Sequence, residues 1–225
     1  MEPSPPREDE ERFAALRREM VEQQIRRRGI SDGAVLEAMA RVPRHAFVDR
    51  CYLEEAYEDH PLPIGCGQTI SQPFMVALMT ELCDLSPGDS VLEVGAGSGY
   101  QSAVLAALCQ KVYATEIVED LVSKARRALS AAGCDNVLLE LRDGSKGWPD
   151  HAPYDAILVA AGAPGVPEPL REQLAEGGRL VIPVGGRGLQ ILKRITRRGH
   201  VFETSADTAC RFVDLRGEHG WSGSR

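Results

Sequence analysis

Residues 90–101 read S-V-L-E-V-G-A-G-S-G-Y-Q, and the fold turns on this stretch. Ser90–Val94 is a short apolar run of strand character that passes straight into glycines at alternate positions, Gly95, Gly97 and Gly99. An almost wholly apolar segment, residues 102–108, then reads as a helix. Strand, glycine turn and helix in that order let a backbone come close to a nucleotide-like ligand. No Cβ blocks the approach, and the helix N-terminus presents free N–H groups. The spacing is G-x-G-x-G with an acid, Glu93, inside the strand end, not the G-x-G-x-x-G of dinucleotide sites. A glycine triplet can equally form a turn with no ligand.

Working outward, strand and helix patterns alternate. Strands are expected at 111–115, 137–141, 155–159 and 179–184, with helices at 119–132 and 167–175. Such alternation implies right-handed crossovers and a mainly parallel sheet covered on both faces. Two last strands, 189–196 and about 210–215, have no helix between them, and R-R-G-H at 197–200 reads as the turn of an antiparallel pair. Upstream, helical spacing over 10–28 ends at Gly29. Ser31-Asp32 caps a second helix that Pro43 stops, and Pro73 opens a third. The basic run Arg26-Arg27-Arg28 is either an anion site or the cationic last turn of its helix. Residues 44–72 carry turn formers and little periodicity, and read as a long ordered loop with a functional role.

The expected architecture is therefore α/β: a Rossmann-like, doubly wound, mainly parallel sheet with a C-terminal antiparallel strand pair and extra N-terminal helices. Residues 1–9 read as a disordered tail and 10–225 as one domain, with N-terminal helices and a loop over 10–89 and an α/β core over 90–225.

The formal charge of −7 argues against a general nucleic-acid binder, since phosphate contacts need clustered Lys and Arg. The six cysteines form no C-x-x-C pair and no metal spacing, so reduced thiols and no metal are expected. The longest apolar run, residues 156–163, is too short to span a bilayer, and the polar, Pro-rich N-terminus is unlike a signal peptide. A cytoplasmic monomer with no membrane partner is the expectation.

In an open α/β sheet ligands bind at the carboxyl ends of the strands. Glu116, followed by Ile117, ends the second strand, where a carboxylate suits a ribose diol. It is equally placed to cap the next helix. Asp143-Gly144 follows the third strand, where a side-chain oxygen can take an exocyclic amine; it is also a common turn dipeptide. Three such features in register favour a bound cofactor over three separate structural roles.

The alternate-glycine loop with its strand-end acid resembles that of S-adenosylmethionine-dependent methyltransferases. Residues 59–73, D-H-P-L-P-I-G-C-G-Q-T-I-S-Q-P, are more specific. They resemble the signature of the protein-L-isoaspartate O-methyltransferase family, P-L-P-I-G-x-G-Q-T-I-S-x-P. Matches continue in family order through the glycine loop, Glu116-Ile117, D-G-S-K-G-W (143–148), Y-D-A-I-L-V-A-A (154–161), the segment 167–185 and a terminal F-V-x-L (212–215). The resemblance covers residues from about 10 to about 215.

What the resemblance implies is S-adenosylmethionine as cofactor and isoaspartyl peptides and proteins as substrates. It assigns Glu93, Gly95, Gly97, Ser98, Gly99, Glu116, Ile117, Asp143 and Gly144 to the cofactor. It assigns Ile64, Gly65, Gln68, Thr69, Ile70 and Val213 to the substrate pocket, with Leu62 in its apolar wall. Ser71 is the matched active-site position, a hydroxyl that orients the substrate carboxylate; capping of the helix at Pro73 is the alternative. A carboxylate is already ionised at neutral pH, so no general base is needed, in keeping with the lack of any Ser-His-Asp or Cys-His signature. Cys66 then reads as a small packed residue. Trp148 and Trp221 read as core with a lid as the alternative. One departure stands out: Asp214 occupies the family's proline position in F-V-P-L, which is expected to loosen that edge and puts peptide specificity in question. Rival readings are a carboxyl methyltransferase dedicated to one peptide and a catalytically idle cofactor-binding scaffold.

Overall fold

A computed structural model describes residues 7–222. Residues 1–6 of the expected tail lie outside the described residues, and residues 7–9 already belong to the first helix, α1 (Arg7–Glu19). Its apolar stripe continues through a wider π turn at Met20–Ile25, and a tighter, exposed turn at Arg26–Arg28 ends the run. Helix α2 (Gly33–Arg41) is capped by Asp32, whose carboxylate accepts from the N–H groups of Ala34 and Val35.

The loop expected over 44–72 is more ordered than its sequence suggests. Two 3-10 turns, Arg44–Phe47 and Arg50–Glu55, lead into an antiparallel hairpin of β1 (Leu62–Gly65) and β2 (Gln68–Ile70). Leu62, Ile64 and Ile70 face inward and are buried, while Pro63 and Thr69 face out. Helix α3 (Pro73–Cys83) follows with proline at its start.

The core is one seven-stranded sheet. Its elements are β3 (Ser90–Val94), α4 (Tyr100–Ala106), β4 (Lys111–Glu116), α5 (Glu119–Ala131), β5 (Val137–Leu141), β6 (Tyr154–Val159), α6 (Glu168–Glu172), β7 (Leu174–Gly186), β8 (Leu189–Arg198) and β9 (Val201–Cys210). The spatial order is β5-β4-β3-β6-β7-β8-β9. Strands β3 to β7 pair in parallel, and β8 and β9 close the sheet antiparallel. The doubly wound architecture with its antiparallel C-terminal pair is thus as expected. Alternate residues feed two cores: Val91, Ala156, Leu158 and Val181 pack with the N-terminal helices and α3 to α5, whereas Leu92, Ile157, Val159, Leu180 and Ile182 pack with α6 and Trp148 on the other face.

One strand lies elsewhere than its sequence suggests. The last strand is Val201–Cys210, not 210–215, because its polar, almost fully exposed residues give no alternating signal. Residues 211–215 instead cross back over the sheet as a strap. Gly162 N–H donates to Val213 O at 2.7 Å and Leu215 N–H donates to Gly162 O at 2.8 Å. Among the described residues no helix is long and apolar enough to cross a membrane.

Candidate active site

The sheet order reverses direction between β3 and β6, and the carboxyl end of β3 is lashed to those of both β4 and β6. Thr115 O accepts from Gly95 N–H at 2.9 Å and from Ala96 N–H at 3.0 Å, and Val94 O accepts from Ala160 N–H at 2.9 Å. A crevice opens at this switch point, the usual ligand position in such sheets. It is lined by Gly95, Gly97, Glu116, Ile117, Arg142, Gly144 and Ala160, with Thr69 and the strap residues 213–216 opposite.

Two glycines matter for its shape. A Cβ on Gly97, at φ +55°, would press on Ile64 Cδ1 at 3.3 Å. One on Gly144 would lie 2.6 Å from Val94 Cγ1 and overlap the Thr115 hydroxyl. The backbone there approaches β3 and β4 more closely than any side chain allows.

Glu116 is 7% exposed and braces the crevice rather than capping α5. Its Oε1 accepts from Ile117 N–H at 2.7 Å and Val118 N–H at 2.9 Å, and its Oε2 accepts from Gly97 N–H at 2.9 Å. Of the roughly four acceptor sites on a carboxylate, one on Oε2 remains for a ligand. Ile117, 41% exposed, gives the same wall an apolar face.

Four residues assigned to the cofactor from sequence do not themselves line this crevice, although Ser98 borders a small hollow beside it with Gly95 and Gly97. Glu93 is fully buried beneath the loop, where it accepts from the Ser102 hydroxyl. Burial, with the nearby charge of Glu116 adding and the Ser102 bond opposing, pushes its carboxyl up to about 7. Ser98 and Gly99 face α4 and α5; Ser98 Oγ accepts from Tyr100 N–H at 3.3 Å, and Gly99 packs on Leu129. Asp143 turns away from the crevice to accept from Ser145 N–H at 3.0 Å, Ser145 Oγ at 2.6 Å and Glu218 N–H at 2.9 Å. Its partial burial works against the charge, but these bonds and nearby Lys146 hold its carboxyl below the usual range. Of the Asp143-Gly144 pair, the glycine forms the crevice and the aspartate anchors the chain end.

Beside the crevice lies a larger cleft of about 1070 Å³, lined by Gln68, Thr69, Ser71 and Gln72 on one side and residues 211–217 with Trp221 on the other. Crevice and cleft share Gln68, Thr69, Ala160 and residues 213–216 as a common wall. Ile64, Gly65 and Ile70, assigned to the substrate pocket from sequence, do not line this cleft. The hairpin alternation turns Ile64 and Ile70 inward, with Ile64 against Gly97, and Gly65 begins the turn behind. Buried Leu62 likewise supports the hairpin from below.

Ser71 does not cap α3. The capping position is Gln72, and no side chain at that position closes the helix start. Asp59 does so from a distance: its Oδ1 accepts from Phe74 N–H at 3.1 Å and its Oδ2 from Gln72 Nε2 at 3.3 Å, while it pairs with Arg28. The Arg28 guanidinium lies 3.5 Å over the Phe74 ring. That network resolves the Arg26–Arg28 question in favour of a structural role for Arg28, and Ser71 is left as a lining residue of the cleft.

Trp148 is 2% exposed and packs edge-on to Tyr113, so it is core. Trp221 lines the cleft and donates from Nε1 to Gly162 O at 2.9 Å. Asp214 tightens the strap rather than loosening it, through an ion pair with Arg187 Nε at 3.1 Å. The bridge to Gly162 uses Val213 O and Leu215 N–H, so a proline at 214 would cost no backbone bond there. Arg142, Arg187, Arg211 and Arg216 also line the two hollows and were not singled out from sequence. Only the G-x-G-x-G and G-Q-T-I-S-Q-P runs cluster their functional residues in sequence; these arginines are scattered along the chain.

The chain is similar to known proteins over most of its length. A family model described as protein-L-isoaspartate(D-aspartate) O-methyltransferase (PCMT) matches residues 15–220. The chain belongs to this family. Among its relatives, the protein-L-isoaspartate O-methyltransferase of Geobacter metallireducens is 54% identical over 211 residues, covering 93% of this chain and 97% of the relative. That of Syntrophotalea carbinolica is 53% identical over 210 residues, with the same two coverages. Among solved structures, the Plasmodium falciparum PCMT in complex with S-adenosyl-L-homocysteine superposes with a TM-score of 0.78 at 29% identity, covering 89% of this chain and 98% of that one. Another PCMT-family structure, a protein-L-isoaspartate O-methyltransferase, gives a TM-score of 0.81 at 30% identity, covering 90% and 67%.

Proposed function

We propose that this chain is an S-adenosylmethionine-dependent methyltransferase that esterifies the α-carboxylate of L-isoaspartyl residues in damaged proteins. A backbone nitrogen then attacks the ester carbonyl and expels methanol, and water reopens the resulting succinimide in part to normal aspartate. The observation that carries this reading is the common wall: the glycine crevice and the open cleft adjoin along Thr69 and Val213. D-Aspartyl residues, included in the family's name, are a second candidate substrate.

The residues of the crevice fit the cofactor. The side-chain-free surface at Gly95, Gly97 and Gly144 and the spare acceptor on Glu116 Oε2 suit a nucleoside. Gly95, Gly97, Glu116, Ile117 and Gly144 would hold it, with Glu93, Ser98, Gly99 and Asp143 shaping the loop from behind. When bound, it supplies an activated methyl group on a sulfonium. The chain's own task is alignment and exclusion of water, which can contribute about 7–11 kcal/mol when two reactants are well oriented. Ser71 donates its hydroxyl to one oxygen of the substrate carboxylate and so aims the other. Gln68, Thr69 and Val213 confine the branch. No residue is asked to remove a proton, because the carboxylate arrives ionised.

The reading includes one functional domain acting as a monomer in the cytoplasm; the scattered cysteines support the reducing compartment. A methanol-release assay on matched hexapeptides, one with aspartate and one with isoaspartate, tests the activity. Release from the isoaspartyl peptide alone is expected. Release from neither would leave a cofactor-binding scaffold, and release from a single dedicated sequence would mark a specialised enzyme.

A further inference from the structure

The chain carries 33 acidic side chains against 26 Lys and Arg, yet the charged lining of its cleft is three arginines, Arg187, Arg211 and Arg216, and one acid, Asp214. Asp214 already pairs with Arg187, whose guanidinium also lies 5.1 Å over the Trp221 ring. Arg211 and Arg216 differ. Both are exposed, and among the described residues neither makes an ion pair or a side-chain hydrogen bond. They bracket the strap at its two ends, and Arg216 lines the crevice as well.

A concave surface of one sign focuses its field, so two unpaired cations there act more strongly than on an open face. The reacting carboxylate has to stay a good nucleophile, and a bidentate guanidinium clamp would draw off the negative charge that attacks the methyl group. Ser71, a single donor, suits the reacting group. The arginines suit other carboxylates that enter the cleft alongside it.

We infer that Arg211 and Arg216 select isoaspartyl sites flanked by aspartate or glutamate, making acidic segments of damaged proteins the preferred substrates. This inference rests on the methyltransferase reading above. Arg187 is held in reserve by Asp214 and contributes little until that pair opens.

The test uses the full chain and three isoaspartyl hexapeptides whose flanking residues are glutamate, glutamine or lysine. At about 10 mM salt, where the screening length is about 30 Å, kcat/KM is expected to be about fivefold higher for the glutamate-flanked peptide than for the glutamine-flanked one, and lowest with lysine. At about 1 M salt, with a screening length of about 3 Å, the three should converge. Replacing both residues, Arg211→Glu with Arg216→Glu, should invert the ranking. Because each ratio is taken within one protein, partial loss of folded enzyme does not alter it. Equal kcat/KM for the three peptides at low salt, or a ranking that survives the double charge reversal, overturns the inference and leaves the methyltransferase standing. No turnover of the glutamine-flanked peptide overturns both.

Discussion

The two sides of the common wall are built in different ways. The crevice is made of backbone: Gly95, Gly97 and Gly144 supply its surface, and strand ends tied to one another at 2.9–3.0 Å fix it. The cleft is made of side chains carried on elements distant in sequence, a short hairpin and the strap around Val213, where Asp214 pairs with Arg187 and Trp221 bonds to Gly162. The first construction tolerates almost no variation in shape. The second can change its charge and contour without disturbing the sheet. A family fold can therefore keep one donor and still tune its substrates.

That contrast breaks first at Ser71. Ser71→Ala should lower kcat by about a hundredfold, the range for losing one well-placed donor, while S-adenosylhomocysteine affinity stays within about twofold. Single-turnover rates and calorimetric binding measured on the same preparation separate the two. An unchanged kcat removes Ser71 from the site, and weakened cofactor binding would show that the two hollows are not separable.

Glu93 tests the floor of the crevice side. Its folded carboxyl sits at about 7, well above the unfolded range near 4.3, so the folded chain binds more protons between those values. Stability should fall as pH rises from about 4.5 through about 7, by up to about 3 kcal/mol, and level off above that. Glu93→Gln should flatten the profile. Denaturant unfolding at successive pH values reads the slope, and a slope that persists in the variant assigns it to another group.

Gly144→Ala should cost about 1–3 kcal/mol of stability and weaken cofactor binding, because the added methyl meets Val94 Cγ1 and the Thr115 hydroxyl. Thermal unfolding with and without S-adenosylhomocysteine checks both. A variant with normal stability and affinity would mean that the crevice is less rigid than its packing implies.

The smallest effect is expected at Asp214. Asp214→Pro loses no backbone bond at the Gly162 bridge and removes the one acidic side chain of the cleft lining, while Arg187 keeps its contacts with Trp221 and Ser222 O. KM for an isoaspartyl peptide should improve about twofold, the scale of one exposed ion pair. A worse KM would show that the aspartate itself touches substrate.

The crevice side was legible because its parts are consecutive: a strand, alternate glycines and a strand-end acid announce themselves within 27 residues of chain, from Ser90 to Glu116. Legibility failed where a residue's direction, not its position, decides the outcome. Asp143 and Gly144 are neighbours, yet one lines the crevice and the other reaches for Glu218, 75 residues along the chain. The hairpin was hidden by strands of four and three residues and by a turn that holds Cys66 at φ +54°, a conformation few non-glycine residues adopt. The F-V-D-L segment looked like a strand because it is mostly apolar, but it keeps only a single bridge, between Asp214 and Gly162. The polar edge strand β9 gave no period to read.

Residues 213–216 belong to both hollows, which makes the two volumes reciprocal. Room gained for a bulkier peptide by shifting that partition is room taken from the nucleoside. Attempts to broaden the range of accepted proteins should therefore recut the outer rim, at Gln72 or Arg187, and leave the partition where it stands.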